Sequence, residues 1–115
     1  MKYRFWRVAA LLGALSSGFV VTSAQAFDWS IETTVSALEP SYVPNSIAFS
    51  VNAAGGSCVQ GTWLTWNAVG ADQPTKIANI QAVYATLLSA KLSGKTIRVF
   101  GNNSGCTIDH IHIIG

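Results

Sequence analysis

Charged residues are scarce in this chain, and the basic ones are unevenly placed. Only 10% of the 115 residues are Asp, Glu, Lys or Arg. Three of the seven basic residues, Lys2, Arg4 and Arg7, lie at the very start. From Phe27 onward four basic residues stand against five acidic ones, a net charge of −1. So few cations cannot neutralise a phosphate backbone, so we do not expect nucleic-acid binding.

Cysteine is nearly absent, since Cys58 and Cys106 are the whole inventory. In an exported protein an even pair of cysteines is typical of a disulfide. The alternatives are two free thiols or half of a metal site. A bond between them would close a loop of about 49 residues, for which chain entropy gives about 4 kcal/mol of stabilisation.

Long apolar runs are absent after residue 26. The one apolar run, Val8–Val21, follows the basic start and precedes the small-residue pattern Ala24-Gln25-Ala26. This order is typical of a secretory signal peptide, and the run is shorter than the roughly 20 residues of a comfortable membrane span. We expect residues 1–26 to be cleaved and residues 27–115 to form one domain, periplasmic or extracellular in a bacterium and not held in a membrane. The alternative is an uncleaved N-terminal anchor.

One helical pattern organises the remaining chain. The spacing of a single helix face is met by Ile77, Ile80, Tyr84, Leu87 and Leu88. Thr75, or Asp72 with Pro74 in the first turn, can cap the start of this helix. Gly94 lies where a left-handed residue ends a helix. The sequence therefore predicts one amphipathic helix.

Alternating apolar and polar residues predict five strands, over Phe27–Leu38, Ile47–Val51, Cys58–Asn67, Thr96–Phe100 and Cys106–Ile114. The order of three strands, a helix and two strands is that of the OB-fold, a five-stranded Greek-key barrel. A disulfide between the starts of the third and fifth strands is compatible with such a barrel. The alternative is an open antiparallel α+β sheet with the helix on one face.

The run Tyr84–Phe100, followed by a Gly/Asn turn, Cys106 and an Ile-rich strand, resembles a group of small exported bacterial OB-fold proteins. Those proteins share an upstream cysteine followed by a tryptophan-bearing strand, here Cys58 and Trp63. The layout is more distantly similar to the B subunits of pentameric toxins of the subtilase-cytotoxin and pertussis-toxin type. This resemblance implies an OB-fold, host-glycan binding and assembly into a ring, and it transfers no individual sugar-contacting residue.

Aromatic residues are the strongest candidates for ligand contacts. Trp63 and Trp66 lie on opposite faces of the third predicted strand, so we expect one of them to be exposed. Phe100 has the opposite parity to the apolar face of its strand, and Tyr42 lies in a loop with two prolines. Exposed aromatic rings suit stacking on a sugar or packing on a protein partner. The alternative is that the helix or a loop covers them.

Two histidines and their neighbours could carry chemistry. His110 and His112 share one face of the last predicted strand, the spacing of a two-histidine metal site. A third ligand is required, which Asp28 or Glu32 could supply only if the strands pair suitably. The alternative is two exposed or half-buried histidines without a metal. Asp109 points away from His110 and no nucleophile elbow is present, so we expect neither an enzyme nor a cofactor.

The sequence therefore predicts a non-enzymatic exported module that binds a glycan or a protein, with Tyr42, Trp63, Trp66 and Phe100 as contacts. A first alternative is a monomeric cell-envelope protein that binds or inhibits a partner through the loop Pro40–Pro44. A second alternative is metal binding through the two histidines.

Overall fold

A computed structural model describes residues 27–115 of the protein, so the predicted signal peptide lies outside the described residues. The described chain has six strands and one long helix: β1 Trp29–Thr33, β2 Val35–Glu39, β3 Ser46–Val51, β4 Leu64–Asn67, α1 Gln73–Ser93, β5 Ile97–Gly101 and β6 Ile108–Ile113. The domain is therefore mainly β, with the helix between β4 and β5 as predicted.

The first predicted strand is two strands, separated at Thr34. β1 pairs with β5, whereas β2 pairs with β3 through a shifted register between Val35 and Ala37. Asn52 holds the separation in place, because its backbone N–H donates to the Thr34 carbonyl at 3.1 Å and its side-chain amide donates to Thr34 Oγ1 at 2.7 Å. One continuous alternating segment thus serves two sheets.

The strands form two antiparallel sheets of three, ordered β1-β5-β6 and β2-β3-β4. Between β4 and the start of β6 the described chain has a single parallel bridge, Thr65 to Thr107. The sheets are not closed into a barrel, so the prediction of a closed five-stranded barrel is wrong and the open α+β alternative fits better. The segment Cys58–Trp63 was predicted as the first part of a strand but forms turns. β4 is therefore too short to extend its pairing with β6 beyond this one bridge.

Helix α1 begins and ends at the residues that the sequence indicates. Asp72 is the N-cap and accepts a hydrogen bond from the Thr75 backbone N–H at 2.9 Å. Gly94 closes the helix in the left-handed conformation, with φ of 68°. The residues that α1 buries completely are Ile80, Leu87 and Ala90. The helix therefore covers the core with one face and leaves the other to water.

Trp29 is a core residue that lies on a surface of glycines. A side chain at Gly55, Gly56 or Gly101 would collide with its indole ring. The Trp29 side chain is 8% exposed, and its Nε1 is buried without a hydrogen-bond partner in the structure. The absence of side chains at these glycines is what admits the large ring.

The predicted disulfide is confirmed. Cys58 and Cys106 are bonded, with their Cα atoms 5.9 Å apart. Cys106 ends a short 3-10 turn, Ser104–Cys106, which delays the start of β6 to Ile108. The bond therefore joins the turn before β4 to the turn before β6. Residues 27–115 contain no helix with the length and apolarity required to cross a lipid bilayer.

Candidate functional site

The outer face of the sheet β2-β3-β4 carries a small residue where two strands meet. Glu39 at the end of β2 pairs with Ala48 in β3. Ile47 and Phe49, on either side of Ala48, are completely buried. Because side chains alternate along a strand, Ala48 points away from the core. Its methyl group leaves space above the sheet that a larger side chain would fill.

The loop after β2 places Tyr42 over this space. The Tyr42 carbonyl accepts hydrogen bonds from the backbone N–H groups of Asn45, at 2.9 Å, and Ser46, at 3.2 Å. The Val43 N–H donates to the Pro40 carbonyl at 3.2 Å. These overlapping turns fix the backbone while the Tyr42 side chain stays 61% exposed. Tyr42 therefore has a restrained backbone and a solvent-exposed aromatic ring.

Trp63 approaches the same space from the turn before β4. This turn starts at the disulfide-bonded Cys58, and the Thr62 N–H donates to the Val59 carbonyl at 3.0 Å. The next residue, Leu64, is buried and begins β4. The Trp63 side chain is 52% exposed. Trp63 thus lies between a turn that is attached to the disulfide and the buried first residue of β4.

Glu39, Tyr42, Ala48 and Trp63 together line one open pocket of about 240 Å³, which we call the aromatic pocket. Glu39 is the one charged residue among these four. Its Oε1 accepts a hydrogen bond from the Ser41 hydroxyl at 2.6 Å. The aromatic pocket therefore combines two exposed rings with a carboxylate whose position is restrained. Its lining is mostly apolar with a single charged group, a composition typical of small-molecule sites.

Trp66 does not belong to this surface. It is 8% exposed, and its Nε1 donates to Asn79 Oδ1 in α1 at 2.9 Å. The expectation that one of the two tryptophans is exposed is confirmed, and the exposed one is Trp63. Burial takes Trp66 out of the predicted contact set, because its ring fills the core between sheet and helix.

Phe100 lies on the outer face of the other sheet, β1-β5-β6, and does not line the aromatic pocket. Its half-buried ring contacts three other rings. The centroid distances are 5.0 Å to Phe27, 5.7 Å to His110 and 5.1 Å to His112. The first two pairs are edge-to-face and the third is tilted, and ring packing of this kind stabilises the outer face of a sheet. The structure therefore separates Phe100 from Tyr42 and Trp63.

The two histidines obtain no third metal ligand within residues 27–115. β5 lies between β1 and β6, so Glu32 is not beside them, and its carboxylate forms an ion pair with Arg98. Asp28 instead accepts a hydrogen bond from the Asn103 N–H at 2.9 Å. No cluster of three His, Cys, Asp or Glu side chains suited to a metal occurs in the described part of the chain.

Asp109 points away from His110, as the alternation of side chains along the strand predicts. It accepts a hydrogen bond from the Asn102 side-chain amide at 2.9 Å, and it does not orient the neighbouring His110.

Two residues of the aromatic pocket were not predicted from the sequence. Glu39 has the position of an ordinary polar strand end, and Ala48 is one small residue between two core positions. The only available signal was that Glu39 directly precedes the proline loop that carries Tyr42.

Comparison with known proteins gives no match, whether with protein-family models, with curated proteins or with solved structures. The aromatic pocket itself is therefore the basis on which a function can be proposed.

Proposed function

We propose that the protein is an exported, non-enzymatic glycan-binding module and that the aromatic pocket is its binding site. One observation carries the proposal. Tyr42 and Trp63, which are 61% and 52% exposed, come from two separate turns and line the same concavity. Large aromatic side chains left open to water in a restrained arrangement are typical of a surface that contacts a ligand.

A sugar ring has the chemistry that this pocket complements. Its C–H faces are apolar and stack on an aromatic ring, while its hydroxyl groups require hydrogen-bond partners. Trp63 and Tyr42 supply the rings, and Glu39 supplies carboxylate oxygens as acceptors. The pocket is shallow and open, so we expect weak binding at a single site, with a dissociation constant of about 1 mM. Assembly of several copies would raise the apparent affinity through multivalency.

A nucleic-acid ligand fits the pocket less well, although aromatic surfaces also bind bases. Single-stranded nucleic acids require a basic groove along the phosphates in addition to stacking. The aromatic pocket contains no basic residue, and Glu39 would repel a phosphate. Charge therefore favours a sugar over a nucleotide.

The strand arrangement supports an OB-like architecture within this proposal. The segment β1–β2 pairs in both sheets, and the Thr65–Thr107 bridge brings β4 beside the start of β6. This neighbour order supports an OB-like arrangement of strands that is left open between the two sheets. The disulfide supports export, because such bonds persist in oxidising compartments.

Glycan binding is tested with the protein purified after export from an expressing bacterium and applied to a glycan array. The variants Trp63→Ala and Tyr42→Ala should each lose most of the signal. Leu92→Ala is the matched control, since Leu92 is 78% exposed on the helix and does not line the pocket. Loss in the control, or retention in both pocket variants, would refute this site.

A partner-protein function is the second candidate, and exposure of the loop Pro40–Pro44 favours it. Besides Tyr42, this loop exposes 38% of Val43, which does not line the aromatic pocket. If the loop docks on a protein, Val43→Asp should prevent capture of that protein and leave glycan binding intact. Removing the loop should abolish capture without unfolding the domain, as measured by circular dichroism.

A further inference from the structure

The aromatic pocket has a negative electrostatic character in addition to its two rings. The face of an aromatic ring is the negative part of its quadrupole. Glu39 adds a full negative charge, and Ser41 restrains its carboxylate through a 2.6 Å hydrogen bond. No Lys or Arg lines the pocket. The Glu39 carboxylate, and the face of either ring, therefore attract a cation and repel an anion.

We infer that the glycan recognised here carries a protonated amine, and that this ammonium group lies against Glu39 between Tyr42 and Trp63. This inference rests on the proposed function and adds the class of ligand, an amino sugar. A cation over the faces of Trp and Tyr is attracted by the ring quadrupoles, more strongly the more it is desolvated. A carboxylate at the same position adds a charge-assisted hydrogen bond.

Charge and size together select this class over other sugars. An acidic sugar would place its carboxylate against Glu39 and be repelled. A neutral sugar would stack equally well and could donate a hydroxyl hydrogen bond to Glu39, but it would not gain the attraction between a full positive charge and the carboxylate. The pocket volume, about 240 Å³, is below the roughly 300–1,000 Å³ of pockets for drug-sized ligands, so it accommodates a single ring-sized group. One amino-sugar residue at a time is the ligand that uses all four lining residues.

Paired probes separate charge from stacking. A tetramer of glucosamine presents protonated amines, and a tetramer of N-acetylglucosamine presents the same ring with neutral amides. Binding of both is measured by isothermal titration calorimetry at a pH where the amines are protonated. We expect the amine form to bind about tenfold more tightly, the factor that corresponds to a cation held by aromatic rings and a carboxylate.

Two variants assign the difference to its residues. Glu39→Gln keeps the size of the side chain and one acceptor oxygen but removes its charge, so it should abolish the preference for the amine form and weaken the acetylated form by a smaller factor than the amine form. Trp63→Ala should weaken both forms, because both stack on the indole. Leu92→Ala should change neither, since it lies outside the pocket. Equal affinity of the two tetramers for the unmodified protein would overturn the inference.

A wrong ligand class and the absence of any glycan binding give different experimental results. If a glycan array shows binding only to neutral or acidic sugars, and Trp63→Ala removes it, the proposed function stands and the inference is overturned. If the array shows no binding to any sugar, both fail. Choline is a third probe, with an ammonium group and no sugar ring. If it binds as tightly as the glucosamine tetramer, the cation preference is upheld and the glycan assignment is overturned.

Discussion

Trp66 and Asn79 form the hydrogen bond that joins the sheet to the helix behind it. Trp66 Nε1 donates to Asn79 Oδ1 at 2.9 Å, and the same oxygen accepts the Val69 backbone N–H at 3.0 Å. Trp66 thus points into the core, whereas Trp63, three residues earlier, remains 52% exposed. Trp66 anchors β4 to the helix, and Trp63, just before β4, is exposed on the side of the sheet away from the helix.

Replacing Asn79 should destabilise the domain. Asn79→Ala removes one acceptor and leaves two N–H donors without it, for which we expect a loss of about 1–3 kcal/mol in the free energy of unfolding. Urea denaturation measures this loss. Asn79→Asp is the control, because it keeps an oxygen at the same position and should lose less. An Asn79→Ala variant as stable as the unmodified protein would show that the bond does not hold β4.

Removing the disulfide should affect both stability and binding. The bond joins residues 48 positions apart, so a double variant with serine at Cys58 and Cys106 should lose about 4 kcal/mol of unfolding free energy. It should also bind glycan more weakly under conditions where it remains folded, because the turn that carries Trp63 starts at Cys58. Urea denaturation and calorimetry measure the two effects.

A reducing agent supplies the control for the disulfide. It should lower the stability of the unmodified protein to that of the double variant and have no further effect on the variant itself. If reduction leaves glycan binding unchanged in the folded protein, the disulfide does not position Trp63.

Asp72 should make helix stability dependent on acid pH. The pKa of Asp72 is lowered from the usual value of 3.8. The larger cause is a hydrogen bond from the Thr75 side chain to the carboxylate, and the smaller one is a hydrogen bond from the Thr75 backbone N–H. A lowered pKa in the folded state means that the stabilisation is complete above pH 3.8. It is then lost as the pH falls through the folded-state value.

The comparison with Asp72→Asn measures this effect, since asparagine keeps the cap and does not titrate. The difference in unfolding free energy between the two proteins should be constant near neutral pH. Below pH 4 it should move in favour of the asparagine variant. A difference that does not change down to pH 2 would show that the Asp72 carboxylate contributes no charge-dependent stabilisation.

The local elements of the fold could be predicted from the sequence because single residues determine them. Asp72 and Gly94 mark the helix ends through capping chemistry, and the completely buried Ile47 and Phe49 occupy the predicted core face of β3. The split at Thr34 could not be predicted, because the alternation of Phe27–Leu38 continues through it without a break. The tertiary hydrogen bonds from Asn52 determine it, and these come from a distant part of the chain.

The candidate site could be predicted only in part. Strand parity showed that Trp63 and Trp66 face opposite sides, but the position of the helix decides which side is the core. The predicted strand Cys58–Asn67 was too long because Gly61 takes a φ of 86°, which belongs to a turn. Glu39 was missed because its role depends on the register that places it beside Ala48.

Filling the aromatic pocket is the most direct way to show whether a glycan binds there. Ala48→Met extends a side chain from the pocket floor on the outer face of β3, so the core and the hydrogen bonds of the sheet should be preserved. We predict an unfolding free energy within about 1 kcal/mol of the unmodified protein and a loss of at least about tenfold in glycan affinity by isothermal titration calorimetry. Undiminished glycan binding in a variant whose pocket is filled would show that the aromatic pocket is not the binding site.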